Sequence, residues 1–192
     1  MILAGGLSRR MGVEKGLIAF GGKPLISHVL ERLGPQVDRL VINANGDARR
    51  FQEFSREVIP DKRADYPGPL AGMEAAFLAT DAAWLVTASV DLPFLPRDLV
   101  AKLSAGMGEG PTAVVAESCQ RTHPVVGLWP RSVLPAITRA LDEGQLRLMR
   151  WLTHLPHRRV DFPLSATGRD PFANLNSPAD FRRAEGWLSS VD

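Results

Sequence analysis

The chain has 192 residues, 45% of them hydrophobic and 23% charged, with a formal net charge of +2. That balance fits one domain with a substantial core, and the near-neutral charge, with no basic run interleaved with aromatics, gives no argument for a nucleic-acid partner, so none is expected. A lone cysteine, Cys119, excludes an internal disulfide, no Cys/His cluster suggests zinc, and no stretch reaches the ~20 apolar residues of a membrane span or forms a signal peptide. The expected address is the cytoplasm, with no membrane partner.

Ile2 and Leu3 open an apolar first strand of only about three residues, against a usual ~5–6. A strand that short implies truncation or a start further upstream. It runs into Gly5-Gly6, then Arg9-Arg10, Gly12 and Lys15. Glycines let backbone N–H groups approach phosphate oxygens, and the Arg and Lys side chains neutralise the arriving charge. A Walker loop is excluded, because five residues separate Gly6 from Gly12 and Gly16 follows Lys15. The adjacent Gly5-Gly6 pair likewise breaks the G-x-G-x-x-G dinucleotide pattern. A plain glycine-rich turn with solvated arginines is the bland alternative.

Ile26, Val29, Leu30 and Leu33 recur at helical spacing until Gly34-Pro35 stops them. Leu40-Val41-Ile42 reads as a strand buried on both faces, and Val58-Ile59 as a weaker one ending at Pro60-Asp61. Tyr66 to Gly72 forms a stiff loop leading into a helix with Met73, Phe77 and Leu78. Trp84 to Val90 is the strongest strand, with Asp91 at its carboxyl end. A helix follows through Leu99, Val100 and Leu103. Ala113-Val114-Val115 and Val125-Val126-Gly127-Leu128 are strands joined by a turn at Gln120-Arg121-Thr122, a connection suited to an antiparallel pair. Val133, Leu134, Ile137 and Leu141 mark another helix ended by Gly144. Ser177-Pro178-Ala179-Asp180 supplies a cap, an N1 proline and an N3 acid for a last helix through Phe181, Ala184 and Leu188. Trp84, Trp129, Trp151 and Trp187 read as core or half-buried packing.

The alternation predicts an α/β fold: a three-layer Rossmann-like sandwich, its central sheet mostly parallel, with an antiparallel strand or hairpin in the second half. A single domain over 1–192 is expected, with a nucleotide half of about 1–95 and an acceptor half of about 96–192. Ligands bind at the carboxyl ends of such strands. The Gly5-Gly6 loop, Asn43, Asp61 and Asp91 all fall there. Asp91 alone reads as a turn aspartate, but beside the glycine loop the favoured reading is a ligand for Mg2+, a hard cation held by one or two carboxylates plus substrate phosphates. Asn45 before Gly46 reads as turn backbone, and His123 as a hydrogen-bonded structural histidine. Alternation puts Asn174 and Asn176 on one face, where they either read a polar ligand or pin the loop.

Leu3-Ala4-Gly5-Gly6-x-Ser8-x-Arg10-Met11-Gly12 with Lys15 and Gly22-x-Pro24-Leu25 resembles the nucleotidylyltransferase signature. Asp61, Gly68-Pro69-Leu70-Ala71-Gly72, Asp91-Leu92-Pro93, His123-Pro124 and Phe172 to Pro178 follow in the order of the molybdenum cofactor guanylyltransferases, which join GMP from GTP to molybdopterin. The resemblance implies that Leu3, Ala4, Gly5, Gly6, Asn43 and Asp61 hold the nucleotide. It implies that Lys15 meets the phosphates, that Asp91 binds Mg2+, and that His123, Asn174 and Asn176 face the acceptor. From the groups available, Lys15 and Arg9 or Arg10, with Arg10 the choice, would offset charge on the leaving pyrophosphate. Implied partners are GTP and molybdopterin, with a molybdenum-insertion protein and recipient molybdoenzymes or their chaperones around them. The chain departs from the family in its short first strand. Open alternatives are a cytidylyltransferase for the same pterin, a sugar-phosphate nucleotidylyltransferase, and a non-catalytic nucleotide- or cofactor-binding partner. Ala4-Gly5-Gly6 and the Gly68 to Gly72 loop favour guanine over cytosine.

Overall fold

The computed structural model describes residues 1–5, 14–54, 57–63 and 68–188. Its strands are β1 (Ile2–Leu3), β2 (Ala19–Phe20), β3 (Lys23–Pro24), β4 (Ile42–Asn43), β5 (Val58–Ile59), β6 (Trp84–Ser89), β7 (Ala113–Ser118), β8 (Arg121–Pro130) and β9 (His157–Asp161). The helices are α1 (Leu25–Leu33), α2 (Pro69–Ala79), α3 (Leu99–Ala105), α4 (Leu134–Asp142), α5 (Leu148–Leu152) and α6 (Pro178–Leu188). A 7-stranded sheet runs in the order β5-β4-β1-β6-β8-β7-β9, and β8 alone is antiparallel to its neighbours. Strands β2 and β3 form a separate hairpin.

The expected three-layer sandwich is what forms. On one face α1 and α3 bring Ile26, Val29, Leu33, Leu99 and Leu103 against Ile2, Ile42, Val86 and Ala88. On the other, α2, α4 and α5 bring Leu70, Met73, Phe77, Ile137 and Trp151 against Val41, Leu85, Val115 and Trp129. Both faces of the sheet are therefore covered, which is why its central strands read as unbroken apolar runs. Trp129 is fully buried and satisfies its indole by donating to Thr87 Oγ1 at 2.8 Å. The other three tryptophans are buried or half-buried.

Several boundaries differ from the sequence expectation. The stretch Pro69 to Gly72 is already the first turn of α2, because proline is at home at N1 and Gly68, at φ 92°, makes the break before it. The hairpin turn lies at Cys119-Gln120, both left-handed (φ 49° and 61°), which matches the twist of the flanking strands. Arg121 and Thr122 consequently belong to β8. Pro124 is tolerated within that strand because the register with β7 shifts between Val115 and Ala116. Among the described residues no helix is long and apolar enough to cross a membrane.

Strand β1 lies between β4 and β6, so the crossovers change direction beside it. A parallel sheet opens its binding crevice at such a point, outside the carboxyl ends of the strands.

Candidate active site

Two polar clusters occupy that carboxyl edge. The first gathers at the end of β6. Lys15 Nζ donates to Asp91 Oδ2 at 2.8 Å and also to Asn176 Oδ1. Lys15 reaches Asp91 because Gly16 is buried against the strand end. A Cβ there would lie 3.0 Å from Val90 Cγ2 and 3.3 Å from the Phe51 ring. The Asp91 carbonyl accepts from Leu175 N–H at 3.1 Å, which fixes the segment carrying Asn176. Asp91 Oδ1 is buried with no hydrogen-bond partner among the described residues. An orphaned buried carboxylate oxygen is costly unless something binds it, and its hard-donor chemistry fits a divalent cation such as Mg2+.

The second cluster lies at the ends of β4 and β5. Asn43 Nδ2 donates to the carbonyl of Ile59 (3.0 Å) and to Asp61 Oδ1 (2.9 Å). Asn45 Nδ2 donates to Asp61 Oδ2 at 2.8 Å, and Asp61 N–H donates to Asn45 Oδ1 at 2.8 Å. Gly5 and Gly72 make room for these amides: a Cβ at Gly5 would approach Asn45 Nδ2 to 3.3 Å, and one at Gly72 would lie 2.4 Å from Asn43 Oδ1. Asp61 and Asp91 follow strands three places apart in the sheet. At about 4.8 Å per strand, the strands that carry them lie roughly 14 Å apart.

On the other side of β6, His123 is 9% exposed and its Nε2 lies 2.8 Å from Ser118 Oγ. Ser118 donates to Asp170 Oδ1 at 2.9 Å, so the hydrogen between Ser118 and His123 belongs to Nε2. Burial holds His123 below the usual histidine pKa, so the ring is neutral at neutral pH. Its ring packs on Phe172 at 4.8 Å. These contacts give His123 a structural footing and leave Nδ1 as its acceptor. Asn174 is exposed beside the buried Leu175, and Asn176 shares its face as alternation expects.

The structure thus brings Lys15, Asp91 and Asn176 together, and Asn43 with Asp61. Leu3 and Ala4 continue the β1 ladder, Ala4 N–H donating to the Asn43 carbonyl at 2.8 Å and Leu3 O accepting from Val90 N–H at 3.0 Å. Gly6 and Arg10, with Ser8, Arg9, Met11 and Gly12, lie outside the described residues, as do Tyr66 and Pro67. Asn45 belongs to the second cluster, although its place before Gly46 reads as turn chemistry. The alternation Asn43-Ala44-Asn45 was the available signal, since it puts both amides on one side of an extended chain. Ser118 and Asp170 carried no such signal, because they stand 52 positions apart in the chain and only the fold joins them.

A sequence model of the MobA-like NTP transferase domain matches residues 1–159. The molybdenum cofactor guanylyltransferase of Cereibacter sphaeroides is 44% identical over 192 residues, covering 98% of this chain and 95% of that protein. Its counterpart in Rhodopseudomonas palustris (strain BisB5) is 41% identical over 193 residues, covering 96% and 91%. The crystal structure of molybdopterin-guanine dinucleotide biosynthesis protein A from Archaeoglobus fulgidus superposes with a TM-score of 0.79 at 27% identity, over 99% of this chain and 98% of that one. Likeness at that level, across essentially the whole length, places the chain in the MobA-like NTP transferase family, among the molybdenum cofactor guanylyltransferases.

Proposed function

We propose that this chain transfers GMP from GTP to the terminal phosphate of molybdopterin, releasing pyrophosphate and forming the molybdopterin guanine dinucleotide cofactor. The observation that carries the reading is the Lys15–Asp91 pair at the sheet's switch point, with one buried Asp91 oxygen still available. The acceptor, a phosphate monoester, is largely ionised at neutral pH and needs no strong base. Its oxygen attacks the α-phosphorus of GTP. A new P–O bond forms, and the bond to the bridging oxygen breaks with its electron pair on the departing pyrophosphate.

The protein's part is positioning and charge. Lys15 turns its ammonium from Asp91 and Asn176 to the phosphate oxygens. Arg10 adds charge against the leaving pyrophosphate. The backbone of Leu3, Ala4, Gly5 and Gly6 lines the nucleotide, and Asn43 and Asp61 hold the nucleoside. Asp91 is the protein's ligand for Mg2+, which when bound neutralises phosphate oxygens. His123, Asn174 and Asn176 border the acceptor, so the nucleotide half of about 1–95 meets the acceptor half of about 96–192 at the β6 edge. Guanine is favoured chemically as well as by kinship. Both Asp61 oxygens accept hydrogen bonds from asparagine amides, and guanine offers adjacent N1–H and N2–H2 donors where cytosine offers acceptors beside its amino group.

The test is a product assay with molybdenum-loaded molybdopterin, Mg2+ and either GTP or CTP, following pyrophosphate and pterin dinucleotide. The guanine dinucleotide is expected from GTP alone, and Asp91→Asn is expected to lower turnover by about 100-fold or more. Product from CTP would reverse the choice of base. No product from either, or wild-type turnover by folded Asp91→Asn, would overturn the reading.

A further inference from the structure

Asn45 makes more bonds to one neighbour than a turn residue requires. Its carboxamide takes the Asp61 backbone N–H on Oδ1 and gives a hydrogen to Asp61 Oδ2 through Nδ2, both at 2.8 Å. These bonds close a ring around Asp61 and fix the plane of a carboxylate whose terminal torsion is otherwise soft. Asn43 Nδ2 meets the other oxygen, Oδ1, at 2.9 Å. Each oxygen then has one lone pair engaged and one left for a ligand.

Asn45 is itself anchored from behind. Arg50 Nη2 donates to its carbonyl at 2.7 Å and Arg50 Nε to the Asp47 carbonyl at 3.0 Å, while Arg50 Nη1 pairs with Glu14. Gly46, at φ 82°, allows the turn, and Arg50 ties it to Glu14, the neighbour of Lys15. Gly5 leaves Nδ2 its space, since a Cβ there would lie 3.3 Å away.

We propose that Asn45 is a positioning residue for base selection: it sets the Asp61 carboxylate to receive the paired N1–H and N2–H2 donors of guanine. This inference rests on the guanylyltransferase reading and extends it to a residue outside the nucleotide contacts assigned above. Without Asn45, Asp61 loses its fixed plane, so a two-point contact with the base weakens to one.

Inosine triphosphate is the probe, because hypoxanthine keeps N1–H and lacks the N2 amino group. Steady-state rates and equilibrium binding would be measured with GTP and ITP for the wild type, Asn45→Ala and Asn45→Asp. The aspartate variant keeps the oxygen that accepts from Asp61 N–H and sets a second carboxylate oxygen against Asp61 Oδ2, so it carries the test if the alanine variant does not fold. The wild type is expected to prefer GTP over ITP by roughly 10-fold or more in kcat/KM. In both variants KM and Kd for GTP rise about 10-fold with kcat nearly unchanged, ITP moves far less, and the preference collapses.

Equal losses with GTP and ITP, or a loss confined to kcat, would show that Asn45 merely supports the fold. A wild type indifferent to the N2 amino group would overturn base reading by Asp61. Failure of the wild type to form product from GTP at all would instead defeat the guanylyltransferase reading, a result visible before any variant is compared.

Discussion

A methyl group at position 72 would lie 2.4 Å from Asn43 Oδ1, 2.8 Å from its Cγ and 2.9 Å from Leu3 Cδ2. No pair of atoms tolerates that approach, so Gly72→Ala must push the Asn43 amide away from Asp61. Alanine is otherwise the better helix residue by up to about 1 kcal/mol, which offsets part of the local strain. Binding and stability therefore separate: Gly72→Ala is expected to raise KM for GTP about 10-fold, with a melting temperature close to wild type and kcat largely retained. Unchanged KM in the folded variant would remove Asn43 from the proposed nucleotide contacts. In the sequence Gly72 is one glycine in a Gly/Pro-rich stretch. What fixes its identity is a side chain 29 positions earlier, brought beside it where α2 packs on the sheet. Asp91 and Lys15 were legible as candidates because charge leaving an apolar strand, and charge in a glycine loop, need an explanation. Their mutual contact and its third member, Asn176, depend on where α6 starts.

At the scale of elements, one buried carboxylate ties the segment after β5 to the helical layer. Glu74 on α2 receives Arg63 in a two-pronged pair, Nε to Oε2 at 2.8 Å and Nη2 to Oε1 at 2.7 Å, and Thr138 of α4 donates to Oε1 at 2.8 Å. Arg63 beside it holds the Glu74 carboxyl below its ordinary pKa. Asp142 also meets Arg63, at 2.5 Å, but its side chain is 61% exposed against 5% for Glu74. Burial decides which contact matters. Glu74→Ala is expected to cost about 2–3 kcal/mol in urea unfolding, whereas Asp142→Ala costs less than about 1 kcal/mol. Equal losses would mean that solvent screens both pairs alike. Helix α6 is equally specific at its start, where Ser177 and Asp180 bond reciprocally and Asp180 Oδ2 also takes the N–H of Asn176 at 3.1 Å. That capping signal was legible in the sequence, as were the central strands. Strand β9 was not: His157-Arg158-Arg159-Val160-Asp161 has neither an apolar run nor alternation, and it forms because β7 offers a free edge. The β2–β3 hairpin was missed for a similar reason, since each strand has only two residues and Gly21-Gly22 is its main signal.

For the whole molecule, acidity tests the fold at two distinct places. His28 is buried beneath the hairpin with Nε2 2.8 Å from the Phe20 carbonyl, and His123 is buried beside Ser118 at the far side of the sheet. Desolvation lowers the pKa of both below the ordinary histidine value of about 6.5. It acts at His28 among Lys23, Glu31 and Arg32, and at His123 among Asp170, Arg121 and Glu117. A base whose pKa is lowered on folding binds fewer protons folded than unfolded, so stability rises with pH in the interval between the two values. Stability from these histidines is therefore complete above about pH 6.5. It falls as pH drops through 6.5 toward the folded values, at no more than about 1.4 kcal/mol per pH unit for each. A second loss follows at lower pH from Asp180 and Glu74, whose carboxyls are held low by the Ser177 hydroxyl and by Arg63 respectively. Those contributions are present above the ordinary carboxylate range and disappear as pH falls through the lowered values. Urea unfolding at closely spaced pH separates the two limbs. His28→Gln and His123→Gln should each flatten the upper limb, whatever their effect on stability at pH 8, and leave the lower limb intact. An upper limb unchanged in both variants would mean that the rings are already solvated in the folded protein. The Ser118–His123–Asp170 cluster would then be open to the acceptor side instead of packed beneath it.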